Sequence, residues 1–334
     1  MSRRADPGPR APAPPRYRAT PPGAATSFAL VAALAATLVL AGSCASVAPA
    51  PGADGSSSAR MAWRVEPDSP PGGRGSLYVQ GTLHLGTDEL YPLDERTIAA
   101  MEASDIVLAE LSPGEMEKVQ GLVLSRMAVS ALPGGATVGA MLSPEEAAWA
   151  RSLMGPDIFA ALEPFEPWVM YSALDQYAAA AAGLDPGLGV DAALLAEAAR
   201  LGVEVQGLET AEFQLRLLTG SPVADQLVLL RDSIREYRDR PGSLAWVYEA
   251  YRDDDRAALA AAVRGSAERS EAFDPSLGAF NDSLFASRNA DWARRLAAML
   301  DDGLAVYLFA GAGHFVGEGN VIELLEPYGY RVRP

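Results

Sequence analysis

The chain is poor in the residues that carry most enzyme chemistry: among 334 positions it has one cysteine, two histidines and a single lysine, Lys118. The lone cysteine, Cys44, excludes an intramolecular disulfide, so the fold stands on its core alone even in an oxidising compartment. No GxxxxGK[ST] phrase occurs, which removes a P-loop, and there is no GxSxG, so the familiar serine- and cysteine-hydrolase patterns are missing as well. Basic residues are the minority, 27 Lys and Arg against 43 Asp and Glu, and a net charge of −16 argues against a nucleic-acid partner. The apolar run from Phe28 to Gly42 is shorter than the roughly 20 residues a membrane-spanning helix needs.

That run has a different reading. Arg3, Arg4, Arg10, Arg16 and Arg18 precede it with only Asp6 in opposition, and residues 27–42 carry no charge, the pattern of a signal sequence. It ends in Leu40-Ala41-Gly42-Ser43-Cys44, which resembles the lipobox of bacterial lipoproteins and implies a diacylated Cys44 as the mature N-terminus. The alternative is an ordinary secretory signal cleaved near Ala48-Pro49-Ala50. Ala45 in place of a retention aspartate sets the expected location as the periplasmic side of the outer membrane, if the host has two membranes. The expected organisation is a signal peptide over 1–43, a flexible Ala/Pro/Gly/Ser tether over 44–61 and a domain over 62–334. Removing the signal takes away five arginines and one aspartate and leaves a net charge of −20.

Within the domain, strand and helix patterns alternate. Residues 62–66 and 77–84 are predicted strands joined by the turn-rich PDSPPGGRG, a hairpin with His84 at its far end. Residues 97–103 are helical and 105–111 a short buried strand carrying Glu110. Ser143-Pro144-Glu145-Glu146 is a capping box with proline at the first helical position, and 168–182 is an alanine-rich helix. Asp191 is expected to cap a helix through Leu201, closed by Gly202. Residues 203–210 form a strand reaching Glu209, after which helices run to Leu300 with turns near Pro222, Pro241 and Pro275. The apolar 304–310 reads as a central strand buried on both faces, 320–325 as a helix and 330–333 as a last strand. The expected class is α/β, with a central mixed sheet and a largely helical middle.

Both histidines close the same phrase, Gly81-Thr82-Leu83-His84 and Gly311-Ala312-Gly313-His314. His84, Glu110, Glu209 and His314 thus stand at four predicted strand ends, where open α/β sheets bind ligands if the strands are parallel neighbours. Two imidazoles and two carboxylates suit a divalent ion such as manganese, cobalt or zinc, which would activate a water; one carboxylate could instead be a general base. Residue types alone also allow hydrogen-bonded structural histidines and salt-bridging or capping carboxylates. Arg288-Asn289 could steady an oxyanion or a substrate carboxylate, or belong with Arg294 and Arg295 to a charged surface. Gly81, Gly86, Gly311, Gly313 and Gly317 would permit the sharp turns that aim the imidazoles.

The phrases GTLHLG at 81–86, GLETAEFQ at 207–214, Arg288-Asn289 and GAGHFVGEGNVIELLEPYGY at 311–330 together resemble the TraB/PrgY/gumN family, related to the Tiki proteins. The resemblance spans residues 63–334. It implies an α/β fold with paired GxxH motifs and, from the Tiki relatives, metal-dependent proteolysis. Carried over, His84 and His314 match the motif histidines, Glu110 and Glu209 the acidic partners, and Arg288 the arginine before the last strand. In one departure Phe213 precedes Gln214 and Glu212 is displaced by one position, a rotation of about 100° on a helix. The leading expectation is a lipid-anchored hydrolase of the cell envelope that acts on peptides or proteins, uses Mn, Co or Zn held by His84, Glu110 and His314, and touches the membrane only through its anchor. The alternative is a non-catalytic protein that sequesters a secreted peptide or small ligand; a third reading makes one histidine an axial haem ligand.

Overall fold

The computed structural model describes residues 60–68 and 73–333; Cys44, the expected signal sequence and nearly all of the expected tether lie outside the described residues. Six strands form one mixed sheet: β1 (Ala62–Pro67), β2 (Ser76–Thr82), β3 (Ile106–Leu111), β4 (Val205–Glu209), β5 (Ala305–Gly311) and β6 (Tyr330–Arg333). Their order is β4-β3-β5-β2-β1-β6. The first four in that order are mutually parallel, while β1 runs antiparallel to both β2 and β6. The expected α/β class and mixed sheet are therefore observed.

β5 lies at the centre because its sequence allows nothing else: Val306, Tyr307, Leu308, Phe309 and Ala310 are at most 1% exposed, as a strand covered on both faces requires. The β3-to-β4 connection holds α1 to α7 less the first: α1 (Glu95–Glu102) precedes β3, and α2 (Pro113–Ala128), α3 (Val138–Met141), α4 (Pro144–Met154), α5 (Pro156–Leu162), α6 (Pro167–Ala181) and α7 (Val190–Leu201) follow it. Between β4 and β5 come α8 (Ala211–Thr219), α9 (Val223–Asp239), α10 (Ser243–Arg252), α11 (Arg256–Phe273), α12 (Leu277–Leu284) and α13 (Ala286–Asp301). Local chemistry sets several ends: Ser143 and Glu146 form the expected capping box of α4, and Gly202 closes α7 in the left-handed conformation.

One core cluster surrounds the sheet, and a second, built on Phe159, Trp168, Met170, Leu230 and Ile234, fills the helical middle. Leu111, Ala211 and Leu215 belong to the second, so the helical part is seated against the carboxyl ends of β3 and β4. α13 turns Trp292, Leu296 and Leu300 inward at helical spacing and brings Arg288 and Asn289 with them. The helix expected over 320–325 is instead a 3₁₀ segment, Glu323–Tyr328; the side chain of Asn320 accepts from the backbone N–H of Ile322 and Glu323 (2.9 and 3.0 Å), and Pro327 prevents a regular α-helix. No described helix is long and apolar enough to cross a membrane.

Candidate functional site

The parallel run β4-β3-β5-β2 carries its carboxyl ends to one side, and the four residues expected there are delivered to it: Glu209, Glu110, His314 just past β5, and His84 two residues past β2. They differ in how far their polar atoms are already committed to partners within the chain.

Glu209 is the locked one. Arg288 donates to it twice, from Nε at 2.7 Å and Nη2 at 2.9 Å; Trp292 Nε1 adds a third bond at 3.0 Å and Gln214 Nε2 a fourth at 3.0 Å. Its side chain is 6% exposed and that of Arg288 9%, so this is a buried, bidentate ion pair with its lone pairs filled. Glu209 holds Arg288 in place rather than facing a reactant. Arg288 also reaches Glu110 Oε2 at 2.7 Å and the carbonyl of Leu284 at 2.9 Å, tying α13 to β3, β4 and α12. Arg294 and Arg295 do not join it: the first pairs with Asp291 on the surface, the second donates to the carbonyl of Leu208.

Glu110 is bonded on both oxygens but not filled. Oε2 accepts from Arg288 and Gln214, while Oε1 accepts only the backbone N–H of Gly311 at 2.8 Å. Burial opposes ionisation, yet the imidazoles of His314 and His84, the guanidinium of Arg288 and the Gly311 N–H overcome it and hold the carboxyl down at about 2. A Cβ at Gly311 would press on Oε1 of Glu110 at 3.3 Å, so the glycine leaves that oxygen room.

His314 is buried among Phe285 and Trp292, with ring centroids at 5.1 and 4.4 Å. Asn289 gives its Nδ2 to the carbonyl of Gly319 at 2.9 Å, so its Oδ1 faces the imidazole at 2.6 Å and His314 carries its hydrogen on Nδ1. Burial pushes the imidazole down to about 4, partly offset by Glu110, which makes it neutral at physiological pH with a lone pair on Nε2.

His84 is the opposite case. Its side chain is 68% exposed, and its Nδ1 lies 2.8 Å from Oδ2 of Asp191, whose other oxygen accepts from the Thr82 hydroxyl. Attraction to Asp191, with the hydrogen bond to it, pushes the imidazole up to about 9. The loops that bear these partners are joined by backbone pairing: Gly86 and Asp185 exchange bonds of 3.0 and 2.9 Å, and Val190 donates to Leu83 at 2.8 Å. Asp191 is thus not the cap of α7 that the sequence implied. That place belongs to Gly189, and the carboxylate is turned to His84 and Thr82. The nearest sequence signal for its role is the polar residue in the first turn of a helix, which capping explains equally well.

Gln214 was legible only as a letter of a motif, yet it bridges both glutamates. The displaced Glu212 is exposed and pairs with Arg216, away from the site. By donor type, two imidazoles with Nδ1 anchored to oxygen acceptors and one ionised carboxylate fit a divalent ion, and the anchoring partners are those that orient ligating histidines. Among the described residues, however, no group of three or more His, Cys, Asp or Glu side chains stands arranged to hold a metal ion.

The family model of the TraB/PrgY/gumN family matches residues 61–334. The chain belongs to this family. An uncharacterized protein of Treponema pallidum (strain Nichols) is 28% identical over 275 residues, covering 80% of each chain. No solved structure matches.

Proposed function

We propose that this member of the TraB/PrgY/gumN family is a metal-dependent hydrolase of peptide bonds, with His84, His314 and Glu110 as its centre. The observation that carries the reading is the matched anchoring of the two GxxH histidines: each has its Nδ1 committed to an oxygen acceptor, Asp191 or Asn289, and both act on one ionised carboxylate. Oε1 of Glu110 retains a lone pair beyond its bond to Gly311, and Nε2 of His314 is neutral and unprotonated. A divalent ion held there, Mn, Co or Zn by donor type, would supply Lewis acidity toward a substrate carbonyl and a more acidic water.

The chain's own residues do the rest. Asn289 and Asp191 fix the planes of the two rings, and Gln214 with Arg288 holds Glu110 against rotation. Arg288 balances two buried carboxylates, so the charge of Glu110 persists in a low-dielectric setting. His84 carries a proton up to about pH 9 and must release it before it can ligate, so affinity for an ion rises with pH. Export and lipidation of Cys44 complete the proposal and rest on the N-terminal sequence alone.

The test is peptide cleavage by the full chain with Mn, Co or Zn, with and without chelator. His84→Ala and Glu110→Gln should each lower the rate by on the order of 10²-fold or more. Hydrolysis indifferent to chelator and to both substitutions, or no hydrolysis with any of the three ions, contradicts the proposal.

A further inference from the structure

We propose that a cavity between α9 and α11 binds a small organic acid with an aromatic or branched aliphatic body. It measures about 230 Å³ and is lined by none of His84, Glu110, Glu209, Arg288 or His314, so the proposal does not rest on the hydrolase reading. The space follows from how the two helices meet. Polar side chains bridge them where apolar ones would interlock: Arg269 of α11 donates to Glu236 of α9 at 2.6 and 3.0 Å, the Ser270 hydroxyl donates to Asp232, and Arg235 donates to the carbonyl of Arg269 at 3.0 Å. These bonds hold the helices apart and leave a void far larger than a packing defect.

The apolar part of the lining comes chiefly from the two neighbouring helices. Leu244 and Val247 of α10 and Phe280 and Leu284 of α12 line the cavity, and each is only partly covered by the rest of the chain. Trp246 joins them and is 41% exposed, so the cavity reaches solvent there. Covering these side chains is the gain that an apolar ligand body would bring.

The polar part comes from α9 and α11, and its two carboxylates are already satisfied. Asp232, 8% exposed, accepts from Arg235 at 2.7 Å on one oxygen and from Ser270 on the other, while both oxygens of Glu236 accept from Arg269. No other carboxylate lines the cavity; Asp175 lies outside the lining and accepts from the Tyr237 hydroxyl at 2.8 Å. Arg240 is the charge left over. Its one ion pair among the described residues is with a Glu236 oxygen 3.3 Å away that already accepts from Arg269 at 2.6 Å. The hydroxyl of Ser266, also on the lining, has no partner among the described residues. A guanidinium with unfilled donors beside partly covered apolar side chains suits a carboxylate on an apolar body. The volume, below the roughly 300–1,000 Å³ of most ligand sites, keeps that body small.

The test is calorimetry and saturation-transfer NMR on the full chain with phenylacetate and isocaproate, each compared with its neutral amide. At least one acid should bind about 10-fold or more tightly than its amide, and Arg240→Gln should bring that acid down to the level of the amide. Ser266 is exposed, so Ser266→Trp should leave the unfolding midpoint in place while its ring fills the cavity and abolishes binding. Arg264→Gln, at an arginine on the surface of the same helix, should change nothing. The proposal is overturned if neither acid binds up to about 10 mM, if acids and amides bind equally, or if binding survives Arg240→Gln or Ser266→Trp unchanged.

Discussion

Nδ1 of His84 lies 2.8 Å from Oδ2 of Asp191, a residue 107 positions away, and the second oxygen of that carboxylate is held by Thr82. A carboxylate bonded on both sides cannot rotate freely, so the imidazole plane is fixed with it. Asp191→Asn keeps the shape but removes the charge. The imidazole of His84 should then titrate well below about 9, back toward its ordinary 6.5, and affinity for a divalent ion should fall about 10- to 100-fold. NMR titration of the ring protons and calorimetry read the two effects separately.

Two histidines with opposite shifts make an unusually clean titration. His84 should change charge near 9 and His314 near 4, leaving no imidazole transition between pH 5 and 8. The signs for stability follow. The raised His84 contributes stability that is fully present below 6.5 and is lost as pH rises through about 9. The depressed His314 contributes stability that is fully present above 6.5 and is lost as pH falls toward 4. Denaturant unfolding across pH 3.5–10 should therefore show a shoulder on each flank, the acid one vanishing in His314→Gln and the alkaline one in His84→Gln.

Arg288 joins two carboxylates that are 14% and 6% exposed. Replacing it with methionine strands both negative charges, a loss of about 3–5 kcal/mol by denaturant unfolding. Arg288→Lys should recover only part of this, because an ammonium cannot make the paired bonds to Glu209 together with the bond to Glu110.

Gly86 packs so closely on the loop that leads to Asp191 that a Cβ would sit 2.1 Å from the carbonyl oxygen of Leu188. Gly86→Ala should cost about 1–3 kcal/mol and part the two loops, so the His84 resonance should also move toward its ordinary titration point. Unfolding and NMR on one variant check both; loss of stability without any change at His84 would separate the loop contact from the Asp191 pairing.

Much of this architecture was legible because local patterns and tertiary demands agree. The apolar 304–310 could only be an inner strand, Ser143 and Glu146 announced α4, and the two GxxH phrases marked strand ends that the parallel order brings to one side. The partners of the histidines were not legible. Asp191 in the first turn of a helix looks like a cap, and the backbone pairing of Gly86 with Asp185 and of Val190 with Leu83 brings it to His84. Gln214 lies five residues past Glu209, where α8 doubles back over the strand ends, a placement no periodicity reveals. Glu209 looked equivalent to Glu110 as a strand-end carboxylate. The difference is Trp292 and Arg288, which approach Glu209 from a helix nearly eighty residues further on.

The proposed metal centre of His84, His314 and Glu110 is tested by the metal content of the full chain. After incubation with Mn, Co or Zn and removal of free ion, elemental analysis should find one ion per chain in the wild type. His84→Ala and His314→Ala should each hold none. A chain that retains no ion even at pH 9, or whose bound ion survives both substitutions, contradicts the proposal.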